Sequence, residues 1–261
     1  MPLSKRREAL VQRLRRRASR EREGLVLIEG IRGARHALDA RAELRFAVCS
    51  PRLRSLEGGE ALLRRLEGAG ADTTWTEDRK LEELSDTESP QGVLLVCREP
   101  GWTLDDVLDP PGRGLLVLDG IQDPGNVGTL VRVATAFGVA GVLALDGTAD
   151  PWSPKAVRAA AGAVFSTRVV VVPWGEAAPR LEAAGTAIVV SDAGGADVAG
   201  YRPPDRWALV VGNEGAGVRP AITGAAHATV GVPMPGGGES LNVGVAAAIL
   251  LYVLTLPRRP E

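Results

Sequence analysis

Apolar positions are organised differently in the two halves of this 261-residue chain. In the first half they form short, irregularly spaced runs. A helical opening around Ser4 to Arg17 precedes an apolar strand at Leu25 to Ile28 and a helix near Arg32 to Ala40. A second strand follows at Leu44 to Cys49, then a helix around Gly59 to Leu66 and a strand at Gly92 to Cys97. This predicts a small α/β layer of about 100 residues. In the second half the alternation is regular. The runs Leu115 to Leu118, Val142 to Leu145, Arg168 to Val172, Ala187 to Val190 and Trp207 to Val211 have the character of buried parallel strands. Val127, Leu130, Val131, Ala134 and Phe137 recur at helical spacing between the first two, and a last helix is expected over Ser240 to Leu256. The fold class expected is α/β, with a C-terminal open parallel sheet preceded by the smaller layer. Proline, glycine and acidic residues cluster between Glu99 and Gly114, giving expected boundaries of 1–98 for the first domain, 99–113 for a linker and 114–261 for the second.

Composition narrows the class. Hydrophobic residues at 45% and charged residues at 24% suit a packed globular protein. No apolar run approaches the roughly 20 residues that would span a bilayer. The arginine-rich start has no apolar segment after it to act as a secretory signal, so a cytoplasmic, non-membrane protein is expected. Cys49 and Cys97 have no motif context and read as buried free thiols; His36 and His227 are isolated and read as structural or surface residues, so no metal is expected. Net charge is −1, but Lys5, Arg6, Arg7, Arg13, Arg15, Arg16, Arg17, Arg20 and Arg22 face only Glu8, Glu21 and Glu23. That excess suits either a phosphate-binding surface or a solvated helix end.

In open parallel sheets ligands bind beyond the carboxyl ends of the strands, and three loops there carry polar residues. The first, DPGNVGTLVR (Asp123 to Arg132), has a Pro-Gly turn, Asn126 as a candidate helix cap, and Gly128 and Arg132 four residues apart on one helical stripe. A position without a side chain beside a guanidinium could admit a phosphate or a sugar. The second, GNEGAG (Gly212 to Gly217), sets Asn213 and Glu214 at a strand end among glycines that allow tight turns. The third, VPMPGGGESLNVG (Val232 to Gly244), places Ser240 and Asn242 inside an otherwise apolar run after three glycines. The dinucleotide fingerprint, the phosphate loop and the hydrolase nucleophile elbow are all missing. Each loop alone could be an ordinary turn.

Taken in this order, the three loops resemble the three motifs of the SpoU (TrmH-like) branch of the SPOUT methyltransferases. DPWSPKAVRAAAGAVF (Asp150 to Phe165) resembles that family's connecting helix. VLIEGIRGARHAL (Val26 to Leu38) and SPQGVLLV (Ser89 to Val96) resemble, more loosely, the attached substrate-binding domain. The resemblance implies a deep trefoil knot in the C-terminal domain, a homodimer, and S-adenosylmethionine held by Gly212, Val232 and Leu241. It implies a catalytic cluster of Asn126, Arg132, Glu214, Ser240 and Asn242. The implied reaction is methyl transfer to a ribose 2′-hydroxyl of structured RNA, expected to be ribosomal because of the accessory domain. One departure is Ala160, where many relatives carry a serine; Arg158 nearby is a candidate RNA contact. With RNA as the implied partner, the basic run is expected to contribute Arg15, Arg16 and Arg17 to binding. The low aromatic content (4%) argues against base stacking as the main grip. Because a guanidinium holds its proton tightly, Arg132 is expected to clamp the neighbouring phosphate and stabilise the developing oxyanion, with direct proton acceptance left open. The alternatives are a transfer-RNA 2′-O-methyltransferase, a base methyltransferase, a generic nucleotide-binding enzyme, or a non-catalytic RNA-binding factor on the same fold.

Overall fold

The computed structural model describes residues 2–108, 114–237 and 240–256. Residues 109–113 of the expected linker, and Gly238 and Glu239 of the third loop, lie outside them. The chain forms two compact units, Met1–Gly101 with Trp152–Ser166, and Trp102–Pro151 with Thr167–Glu261.

The first unit opens with α1 (Lys5–Arg13), capped by the Ser4 hydroxyl, and α2 (Arg17–Glu23). The sequence pattern suggested one helix through Arg17; the backbone instead turns extended at Arg16, and Arg20 folds back so that its buried guanidinium donates to the Leu14 and Arg15 carbonyls. Next come β1 (Leu25–Glu29), α3 (Gly30–Asp39), β2 (Leu44–Cys49), α4 (Arg52–Ser55), α5 (Gly59–Gly68), β3 (Thr73–Trp75), α6 (Asp78–Leu84) and β4 (Val93–Arg98). The sheet order is β1-β4-β2-β3; β4 runs antiparallel to β1 and β2, and β2 pairs β3 in parallel. Leu27, Phe46, Val48, Leu94 and Val96 form one core with Val11 and Leu14 of the opening helix and Leu81 and Leu84 of α6. Cys49 and Cys97 are free and buried, and burial pushes both thiols up to about 12.

The second unit begins with α7 (Leu104–Leu108), inside the stretch expected to be a linker; Leu104 and Val107 are buried in this unit's core. There follow β5 (Leu115–Asp119), α8 (Pro124–Ala136) and β6 (Gly141–Ala144). The chain then passes to the first unit, where α9 (Pro154–Ala159) lies against β1. Gly162 permits that docking: its φ is 86°, and a Cβ there would sit 2.5 Å from the His36 Cβ. Back in the second unit are β7 (Arg168–Val171), α10 (Trp174–Ala183), β8 (Ala187–Asp197), β9 (Trp207–Gly212), α11 (Pro220–Thr223), β10 (Ala228–Gly231) and α12 (Val243–Thr255). Six strands in the order β10-β8-β9-β5-β6-β7 pair in parallel throughout. The apolar runs are continuous because both faces of the sheet are covered; every residue of β5 is buried. The loops after β5, β9 and β10, which carry the three motifs, therefore share one edge of one sheet. No helix among the described residues is long and apolar enough to cross a membrane.

Candidate active site

α8 starts at Pro124, whose fixed φ suits a first helical position. Its cap is Asp123, which accepts from the Gly125 and Asn126 backbone N–H groups, and not Asn126 as the sequence suggested. The aspartate one residue before the proline is already in the extended geometry a cap needs, which leaves the Asn126 side chain available. The Asn126 amide nitrogen donates to Glu214 Oε1 at 2.8 Å, and its oxygen accepts from the Asn242 amide at 3.2 Å. One side chain thus joins the first loop to the second and the third. The Glu214 carboxylate also accepts from the Gln122 N–H at 3.5 Å. Burial pushes its pKa up, but these donors outweigh that and hold the carboxyl below its ordinary value. Asn242 is the cap of α12, its oxygen accepting from Gly244 N at 2.9 Å, so this helix begins at Val243 and not at Ser240.

Each loop is braced locally. Gly212 ends β9 in register with Asp119 of β5, and a Cβ there would lie 2.2 Å from the Gly217 carbonyl carbon. Only a residue without a side chain lets the turn fold over itself so closely. Asn213 and Gly217 exchange backbone hydrogen bonds of 3.0 and 2.9 Å; the Asn213 oxygen accepts from Gly215 and Ala216, and its amide donates to the Gly120 carbonyl. Val232 is half-buried directly after β10, while Ser240 and Leu241 are exposed beside Asn242. Arg132 is exposed on α8 and has no hydrogen bond or ion pair among the described residues. Gly128, expected to be open beneath it, is instead buried on the packed side of the helix. Asn126 is in direct contact with both Glu214 and Asn242; Ser240 is near by chain connection, and Arg132 makes no hydrogen bond or ion pair with them among the described residues.

Residues 114–252 match the SpoU rRNA Methylase family. The chain belongs to this family. Residues 10–95 of the SpoU methylase match the MRM3-like substrate binding domain. A 23S rRNA (guanosine(2553)-2′-O)-methyltransferase of Bacillus subtilis is 39% identical to it over 172 residues, 66% of this chain and 67% of that one. A 23S rRNA (uridine(2479)-2′-O)-methyltransferase of Streptomyces viridochromogenes is 31% identical over 245 residues, 90% and 84% of the two chains. The crystal structure of the SpoU methyltransferase AviRb from Streptomyces viridochromogenes in complex with AdoMet superposes with a TM-score of 0.85 at 29% identity, covering 97% of each chain.

In this SpoU methylase the sequence reading missed the brace beneath the cluster. Asp119, with a fully buried side chain, accepts from the Arg219 backbone N–H at 2.7 Å and from its Nε at 2.6 Å; Arg219 also donates to Asp146 at 2.6 Å. The base of the first loop is thereby tied to the end of the second. A lone aspartate closing an apolar strand was the available signal.

Much of the basic run makes contacts within its own unit. Arg15 donates to the Glu83 and Ser85 carbonyls at the end of α6, Arg7 pairs with Asp72, Arg17 pairs with Glu21 and Arg20 is buried. Arg16 is exposed and has no such bond among the described residues. The local cation excess largely stitches the first unit together. Arg158 donates to Glu29 at 3.4 Å and lies 4.0 Å from Asp86, within the first unit.

Proposed function

We propose that this SpoU methylase transfers the methyl group of S-adenosylmethionine to a ribose 2′-hydroxyl of ribosomal RNA. The observation that carries the reading is the Asn126 bridge, which holds the polar residues of all three motif loops in one cluster at the carboxyl edge of the parallel sheet. Family membership and relatives that act on 23S rRNA support ribose oxygen over a base, and ribosomal over transfer RNA.

A Cβ at Gly236 or Gly237 meets nothing within 4 Å, so the third loop presents bare backbone to open space at these two positions. Among its described residues before Asn242, the backbone hydrogen bond it makes for itself is Gly237 N to Met234 O. In this reading the exposed backbone at Gly236 and Gly237 offers polar groups to a ligand edge. In this reading Gly212, Val232 and Leu241 hold the cofactor, which supplies an electrophilic methyl carbon on a sulfonium. Asn126, Ser240, Asn242 and the ionised Glu214 orient the ribose, since alignment alone contributes roughly 7–11 kcal/mol in favourable cases. Arg132 neutralises the adjacent phosphate and the developing oxyanion, the hydroxyl proton passing to water as the oxygen takes the methyl group from sulfur. Arg16 and Arg17 contribute to RNA binding, with Arg15 and Arg158 acting there mainly by fixing the surface around them.

We further propose a cytoplasmic homodimer, with a trefoil knot in the domain of residues 114–261 and RNA binding in the domain of residues 1–98. Val245, Ile249 and Tyr252 on one stripe of α12, with Leu256 just after it, are 36% to 55% exposed. Such a stripe on a helix calls for cover, and a second copy supplies a self-complementary one.

The test is transfer of labelled methyl from S-adenosylmethionine to 23S rRNA. Wild-type chain is expected to label it, and Arg132→Ala to lose about 10²–10³ in rate while keeping donor affinity in calorimetry. An Arg132→Ala chain with the wild-type rate would remove both the clamp and the base from the mechanism.

A further inference from the structure

Cations of the first unit fall into two groups. Arg17, Arg54, Arg65 and Arg98 each meet a carboxylate, Arg65 taking Asp39 at 2.6 Å. Arg32 and Arg35 of α3 are exposed and make no ion pair or side-chain hydrogen bond among the described residues. Helical geometry puts Arg32, Arg35 and His36 within about 100° of arc, opposite Gly33, Ala34 and Ala37, which are buried. Unlike the basic run at the start of the chain, this face is not used up by the domain's own packing.

The face also borders a concavity of about 410 Å³ lined by Ile31, Arg32, Arg35, His36, Glu57, Gln91 and Asp39, whose carboxylate is paired with Arg65. That volume is in the range of small-ligand sites. One wall is fixed: the Gln91 side-chain oxygen accepts from the Ile31 N–H at 2.8 Å. Gly30 makes room for it, since its φ is 85° and a Cβ would come 2.7 Å from that oxygen. Two guanidinium forks suit phosphates. The apolar side of Ile31 with the amide of Gln91 and the carboxylate of Glu57 suits a base and its N–H edge, a chemistry that unstacked nucleotides of structured RNA present.

We infer that the α3 face is a second RNA contact, taking the phosphates of one unpaired nucleotide on Arg32 and Arg35 and its base in the concavity. This rests on the RNA methyltransferase reading. The test is filter binding of full-length wild-type chain and an R32Q/R35Q chain to in vitro transcribed 23S rRNA, at about 50 to 200 mM salt. Both positions are solvent-facing and glutamine keeps helix propensity, with circular dichroism as the check of fold. The double variant is expected to bind about tenfold or more weakly, and its log–log salt slope to shrink by about 1.4, two contacts at about 0.7 each. Donor affinity in calorimetry should be unchanged. Failure of the wild-type chain to bind would overturn the methyltransferase reading together with this site. Binding by wild type with identical affinity and slope in the double variant would overturn the α3 site alone.

Discussion

Asn126 has both ends of its amide engaged, donating to Glu214 and accepting from Asn242. Alanine there leaves each partner to water, which costs little stability at a partly exposed position but releases the third loop from the first and loosens Glu214 of the second. The expected result for Asn126→Ala is a transfer rate about 10²–10³ lower with a stability change under about 1 kcal/mol, read by initial rates and thermal melting. A rate within twofold of wild type would show that the bridge does not organise the site. Glu29 gives a residue-scale prediction of opposite kind. Its side chain is 5% exposed, and burial raises its pKa above the ordinary 4.5 despite the Asp86 N–H and Arg158. A raised acid is penalised once ionised, so its stability contribution is present below 4.5 and is lost as pH rises through the folded value. Glu29→Gln should therefore melt no lower than wild type at neutral pH, any gain fading as pH falls through the raised folded value and absent below 4.5. A variant less stable at neutral pH would mean that the Arg158 pair outweighs desolvation. The sequence made Asn126, Glu214 and Asn242 legible because polar residues stand out at the ends of apolar runs. It could not assign Asp123 as the cap, nor separate the arginines that build the first unit from those left free, because ion pairing such as Arg7 with Asp72 joins residues far apart in sequence.

The strands β5 to β9 could be read from the chain because a parallel sheet buried on both faces demands unbroken apolar runs. β3 and β10 could not. β3 has 3 residues, too short for a period to register, and β10, Ala-Thr-Val-Gly, carries one large apolar residue; its register to β8 shifts between Thr229 and Val230, where Gly195 allows the two backbones to approach. The helix α6, rich in charge, gave no clear apolar face, yet it buries Leu81 and Leu84. α12 carries the element-scale prediction. Its buried side packs on α8, where Gly244 lets Thr129 come close, while Val245, Ile249, Tyr252 and Leu256 face outward. Ile249→Glu with Tyr252→Glu should convert a dimer to a monomer in light scattering, with the fold retained in circular dichroism. A chain that is monomeric as wild type would leave the stripe without its proposed cover.

At the scale of the whole molecule, the sequence distinguished an irregular first half from a regular second half, and the structure adds a crossing that pattern alone did not reveal. Trp152–Ser166, though flanked on both sides by methylase strands, packs with the first unit. Its alanines, Ala156, Ala159, Ala160, Ala161 and Ala163, would suit a close-packed helix in either unit; the position of Gly162 against α3 decides the matter, and that contact is non-local. The account as a whole stands on the chemistry assigned to the cluster at the sheet edge. The most direct measurement is mass spectrometry of nucleosides from 23S rRNA incubated with the chain and S-adenosylmethionine. The account predicts one new ribose-methylated nucleoside, dependent on Asn126 and Arg132; methyl groups found on a base, or none transferred, would contradict it.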